Sequence, residues 1–137
     1  MVDSDAAPKP QDAASTKAHC ISVIGLGRLG RALAAALRAQ GGSYRILGHD
    51  REPHRSRAAL AAGAVDRVAW TLPGAVEGAD LLILCEGLDH SLESLELAAP
   101  HLKEGALVID CAPLKAPMLA RAAALLPAGR GFVGSHP

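Results

Sequence analysis

The stretch Cys20-Ile21-Ser22-Val23-Ile24-Gly25-Leu26-Gly27-Arg28-Leu29-Gly30 ends a short apolar run in G-x-G-x-x-G, and an alanine- and leucine-rich helical pattern follows at once. Each glycine of such a turn has its own task when the ligand is a dinucleotide. Gly25 allows the tight turn out of a strand. Gly27 lets a pyrophosphate approach the backbone, and Gly30 lets the new helix pack closely on the strand. Leu26, Arg28 and Leu29 complete the turn, and the helix start offers unpaired N–H groups and the positive end of its dipole. Asp50 follows Gly30 by about 20 residues, the spacing at which a carboxylate accepts hydrogen bonds from the adenine ribose. The same carboxylate repels a 2′-phosphate, which favours NAD; Arg51 beside it could hold such a phosphate, so NADP stays open. Two further groups, Cys85-Glu86-Gly87 and Asp110-Cys111-Ala112-Pro113, stand at the carboxyl ends of later apolar runs. Ligands of open parallel sheets bind there. Cys85 and Cys111 read first as small apolar strand residues, with a redox pair as the alternative.

A lone glycine motif means little in a chain with 14 glycines, so the elements around it decide its weight. His19 to Ile24 reads as a strand and Arg28 to Gln40 as a helix whose Leu29, Leu33, Ala36 and Leu37 face the sheet. Gly41-Gly42 stops that helix. Tyr44 to Gly48 is a second strand, with His49-Asp50 at its end, and Pro53 opens a helix to about Ala62. A weaker strand over Val65–Trp70 and a short helical turn from Pro73 to Gly78 follow. Ala79–Cys85 and Ala106–Cys111 are unbroken apolar runs, the pattern of strands buried on both faces. Helices over Asp89–Ala99 and Pro117–Leu126 separate them from each other and from a last short strand, Gly131–Gly134. Strand and helix alternate throughout, which calls for an α/β fold: a Rossmann-type, doubly wound, mainly parallel sheet in one three-layer domain over 19–137. Residues 1–18, polar and without apolar periodicity, read as a disordered leader.

At 137 residues the chain can bury one core, and with 50% hydrophobic but only 2% aromatic residues that core must be aliphatic and finely packed. Lys and Arg together number 14, as do Asp and Glu, and no basic stripe argues for nucleic acid or a membrane surface. Three cysteines without C-x-x-C spacing favour neither a disulfide framework nor a metal site, and a reducing cytoplasm fits them best.

The ordered series VIGLGRLGRALAAALR, GHDREPHR, AAGAVDRV, ADLLILC, AAPHLKEGALVID, LKAP and FVGSHP resembles the dinucleotide-binding half of prephenate and arogenate dehydrogenases, from about His19 to Pro137. LKAP and GSHP are not general features of Rossmann domains. The resemblance implies NAD(P)-dependent oxidative decarboxylation of prephenate or arogenate toward tyrosine. It assigns His136 the hydrogen bond to the substrate hydroxyl and its deprotonation, a task that suits an imidazole. Lys115 matches the lysine of the family's S-x-K-A-P segment.

The chain departs from the family in three ways. Pro113 stands where the family has a serine that orients histidine and substrate, and proline has neither hydroxyl nor N–H. The family's proline near Gly87 is missing; a buried carboxylate beside a nicotinamide would need a partner, so Glu86 is expected to point to solvent. The family's helical second half, which forms a homodimer and supplies arginines for the substrate carboxylates, is not expected in this chain. A small-molecule substrate is then held only where a second domain or partner chain completes the site, and turnover by this chain alone is not expected. The alternative is a non-catalytic NAD-binding or sensing module acting through a partner chain; a third reading is another Rossmann reductase of the imine or hydroxyacid type.

Overall fold

The computed structural model describes residues 18–136; the leader expected over 1–18 lies outside them except for Ala18. Six strands, β1 (His19–Ile24), β2 (Tyr44–His49), β3 (Arg67–Val68), β4 (Leu81–Leu84), β5 (Leu107–Asp110) and β6 (Gly131–Gly134), form one sheet in the order β3-β2-β1-β4-β5-β6. Every pairing is parallel. The helices between them are α1 (Arg28–Ala39), α2 (Pro53–Ala61), α3 (Leu72–Val76), α4 (Leu88–Ala98), continued by a 3₁₀ turn over Ala99–His101, and α5 (Lys115–Leu125).

Side chains alternate between the faces of the sheet, and each face has its own core. Ile21, Val23, Ile46 and Ile83 pack with Ala34 of α1 and Ala59 of α2 on one side. Ile24, Leu82, Leu84 and Val108 pack with Val76, Leu95, Ala98, Met118 and Ala122 of α3, α4 and α5 on the other. Alanine at the contact points brings helix axes close to the sheet, as an aliphatic core without large rings requires. Ser22, fully buried, donates to the Ala75 carbonyl (2.5 Å), and no buried side-chain nitrogen or oxygen among the described residues lacks a partner.

Two details differ from the expectation. The sheet-facing stripe of α1 runs through Gly30, Leu33, Ala34 and Leu37, while Leu29 is 42% exposed and Ala36 points outward. Its contact point is a glycine, which hydrophobic periodicity cannot register. The third strand shrinks to Arg67–Val68 because it is an edge strand paired only to Leu47 and Gly48.

Asp66 and Asp80 tie the strand starts together. Asp66 accepts from Ile46 N (2.8 Å) and pairs with Arg38. Asp80 accepts from Cys20 N (2.7 Å) and pairs with Lys103. The backbone donor of Ile46 and the ammonium of Lys103, respectively, lead the causes that hold each carboxyl below its ordinary 3.8. A carboxyl with a lowered folded pKa stabilises the fold above its unfolded value and loses that contribution as pH falls through the folded one. Wild type is therefore expected to lose stability below about pH 4, and Asp80→Asn to be less stable at pH 7 with a flatter acid limb, as urea titrations from pH 7 to 2 would record.

Candidate functional site

The order β3-β2-β1-β4 places the reversal of the sheet's winding between β1 and β4, where a crevice opens outside the carboxyl ends of the strands. A pocket of about 300 Å³ occupies it, lined by Gly25, Gly27, Asp50, Arg51, Glu52, Arg55, Cys85, Glu86, Gly87 and His90. The turn, the end of β2 and the end of β4 thus converge on one cavity.

Gly25 holds φ +90°, and a Cβ there would lie 2.5 Å from the Cys85 carbonyl oxygen. A Cβ on Gly30 would come within 1.8 Å of the Gly25 carbonyl oxygen, so α1 lies directly against the turn. Around Gly27 nothing stands within 4 Å of a Cβ position; the backbone there faces open space. Gly27 is also the N-cap of α1 and supplies no side-chain acceptor, so the first-turn amides remain available to an anion. Gly87 caps α4 in the same bare way at the opposite lip. Leu26 is fully buried, Arg28 and Leu29 are exposed at the helix start, and none of the three lines the pocket.

Asp50 is buried at the end of β2. Its Oδ2 accepts from Leu26 N (2.7 Å) and its Oδ1 from Glu52 N (2.7 Å), with Arg55 Nη1 3.9 Å from Oδ1. The Asp50 amide donates to Ser56 Oγ at 3.1 Å. Two backbone donors fix the carboxylate without exhausting it, since two carboxylate oxygens offer about four acceptor positions. The remainder suits a vicinal diol.

Glu86 corrects the expectation that it points to solvent. Its side chain is 7% exposed, accepts from Ser94 Oγ (2.5 Å) and lies 3.5 Å from Arg51 Nε. Arg51 also reaches Glu93 through Nη1 at 3.1 Å. The partner that a buried carboxylate requires is supplied by Arg51, which the sequence offered as a phosphate ligand.

Cys85 and Cys111 end adjacent strands, and both are free thiols. Burial first, then Cys111, Glu86 and Asp110, push the Cys85 thiol up from its ordinary value. Lys115 does not line the pocket. Its Nζ donates to Asp110 Oδ2 (2.5 Å), to the Ser135 carbonyl (2.5 Å) and to the Asp110 carbonyl (3.3 Å). Asp110 is fully buried and Lys115 28% exposed at the side chain. His136 lies exposed just past β6, on the carboxyl edge of the sheet, and does not line the pocket. Residues absent from the sequence reading are Glu52, Arg55 and His90, which line the pocket from the loop before α2 and the first turns of α2 and α4. Helix starts after strand ends were their only signal.

A parallel sheet in this order, with a bare helix N-terminus and a buried acceptor at its switch point, defines a nucleotide-binding Rossmann domain. Comparison with known proteins narrows the class. The nucleotide-binding domain of prephenate dehydrogenase matches residues 33–137, a stretch that starts inside α1, so the glycine turn rests on its own geometry. Prephenate dehydrogenase of Lactococcus lactis subsp. cremoris (strain MG1363) is 33% identical over 119 residues, covering 85% of this chain and 33% of that protein. Prephenate dehydrogenase of Bacillus subtilis (strain 168) is 30% identical over 118 residues, covering 85% and 32%. Among solved structures, Synechocystis arogenate dehydrogenase superposes with a TM-score of 0.77 at 32% identity, over 86% of this chain and 40% of that one. The chain belongs to the family of prephenate dehydrogenase nucleotide-binding domains. It spans about a third of the length of the curated relatives it matches. Prephenate dehydrogenase from A. aeolicus, in complex with hydroxyphenyl propionate and NAD+, shares the fold at a TM-score of 0.78 and 24% identity, over 90% of this chain and 43% of that one. No helix among the described residues is long and apolar enough to cross a membrane.

Proposed function

We propose that this chain holds NAD for a dehydrogenase that oxidises and decarboxylates prephenate or arogenate in the cytoplasm, within an assembly whose further domain or partner chain supplies the substrate's other contacts. The observation that carries the reading is Asp50: a buried carboxylate, fixed by Leu26 N and Glu52 N, with acceptor capacity left over at the lip of the glycine turn. In this reading it takes the adenine ribose hydroxyls, while the amides at the start of α1 take the pyrophosphate above Gly27. NAD, when bound, supplies the hydride acceptor. In this reading His136, on the carboxyl edge of the sheet, accepts the proton of a substrate hydroxyl. Lys115, bound to Asp110 and Ser135, fixes the segment that carries His136 and is a positioning residue.

Calorimetric titration with NAD and NADP, followed by NADH formation from prephenate and arogenate, tests the proposal. Asp50→Ala is expected to weaken NAD about tenfold or more, at least the worth of one charge-assisted hydrogen bond, and NADP less. Equal weakening of both would remove Asp50 from the ribose.

Pro113 favours a second reading. It is exposed just past the end of β5, where the family's serine would offer a hydroxyl, and it has none to offer. On this reading the domain binds NAD and acts through a partner without turnover. Binding of NAD with no NADH formed by the full assembly would favour it.

A further inference from the structure

We infer that Glu86 and Glu93 set the preference for NAD over NADP by holding Arg51 away from the place a 2′-phosphate would occupy. The inference rests on the dinucleotide reading above and deepens it. An arginine directly after the ribose-binding aspartate is the residue best placed to accept a 2′-phosphate, as a planar, permanently charged fork. Here that fork is engaged. Arg51 Nη1 is 3.1 Å from Glu93 Oε2 on α4, and Nε is 3.5 Å from Glu86 Oε1 at the end of β4. The guanidinium therefore spans from the end of β2 to the α4 side of the crevice, with Nη1 and Nε both turned to protein carboxylates.

Glu86 is anchored in turn. Its other oxygen accepts from the buried Ser94 at 2.5 Å, and its Cγ would lie 2.8 Å from a Cβ on Gly25, so it is wedged against the glycine turn. The second guanidinium of the pocket, Arg55, lies 3.9 Å from Asp50 Oδ1, on the acidic group that a phosphate would have to approach. Around the ribose end, four carboxylates (Asp50, Glu52, Glu86 and Glu93) stand against the two guanidinium groups of Arg51 and Arg55. A ribose diol needs acceptors and meets them; a dianionic phosphate meets a net negative rim whose cations are already paired. The preference thus has two layers: Asp50 repels the phosphate directly, and Glu86 with Glu93 withholds Arg51 from it.

The test is the ratio of NADP to NAD affinity, measured by calorimetry on wild type, the E86Q/E93Q double variant and the E86Q/E93Q/R51A triple variant. Both substitutions keep the shape of the side chain, and the amide oxygen that E86Q introduces can still accept from Ser94. The double variant is expected to shift the ratio about tenfold toward NADP, equivalent to about 1.4 kcal/mol. Adding Arg51→Ala is expected to cancel that shift. E93Q alone, at an exposed position that does not bear on folding, is expected to shift the ratio in the same direction by less. An unchanged ratio in the double variant would overturn the inference, and so would a gain that survives Arg51→Ala, because the carboxylates would then act through their field and not through the arginine. Wild type that binds neither nucleotide would instead overturn the dinucleotide reading itself, so the two failures are distinguishable.

Discussion

Gly30→Ala is expected to disrupt the glycine turn and weaken nucleotide binding together. The added methyl would sit 1.8 Å from the Gly25 carbonyl oxygen, a backbone atom with no rotamer to relieve the clash. Either α1 moves off the sheet, exposing Ala34, Leu33 and Leu37, or the turn opens and carries Leu26 N away from Asp50. Overpacking of this kind costs on the order of 3 kcal/mol. Nucleotide affinity should fall about a hundredfold, equivalent to about 2.8 kcal/mol, because the amides and the carboxylate lose their common geometry. Gly27→Ala makes the contrast. Nothing stands within 4 Å of that Cβ position, so the fold should change by less than about 1 kcal/mol while the methyl obstructs the pyrophosphate. Urea denaturation beside NAD titration separates the two: Gly30→Ala fails in both, Gly27→Ala in binding alone. A Gly30→Ala protein as stable as wild type would contradict this packing of α1 on the turn.

Lys115→Met should be the most damaging substitution outside the pocket. It strips the counter-ion from Asp110, whose side chain is fully buried. Breaking one half of a buried pair leaves an uncompensated charge and costs about 3–5 kcal/mol; the partial exposure of Lys115 places this case near the lower end. The Ser135 carbonyl loses its donor at the same time, so the Ser135 amide, bonded to the Asp110 carbonyl at 2.8 Å, should exchange faster with solvent. The double variant Asp110→Asn/Lys115→Met removes the stranded charge while keeping an acceptor for Ala112 N, and it should recover most of the loss. A solvated surface lysine would give a change within about 0.5 kcal/mol in the single variant.

The residues that local rules govern were legible in the sequence. Gly25 and Gly30 announce a turn that only glycine can make, Gly27 between them leaves the backbone open, and Asp50 stands where a strand of ordinary length must end. The apolar runs into Cys85 and Cys111 are too uninterrupted for anything but central parallel strands, which they are. Residues whose environment is assembled from distant segments were not legible. Glu86 looked like a solvated charge because its partners, Arg51 and Ser94, come to it from β2 and α4. Lys115 was marked only by its match to the family's lysine; its tie to Asp110 depends on the first turn of α5 folding back over the end of β5. The sheet-facing stripe of α1 was right at Leu33 and Leu37 but misplaced at Leu29 and Ala36, because Gly30 is a contact residue with no side chain to mark it. Each miss is a contact made through burial or close approach, and residue type along the chain does not encode those.

The most direct test of a dinucleotide site at the β1/β4 crevice is a calorimetric titration of NAD into wild type and Asp50→Ala under identical conditions. One NAD per chain is expected, with the variant binding about tenfold more weakly or worse. Saturable NAD binding that is unchanged by Asp50→Ala, or no binding to wild type at all, would contradict it.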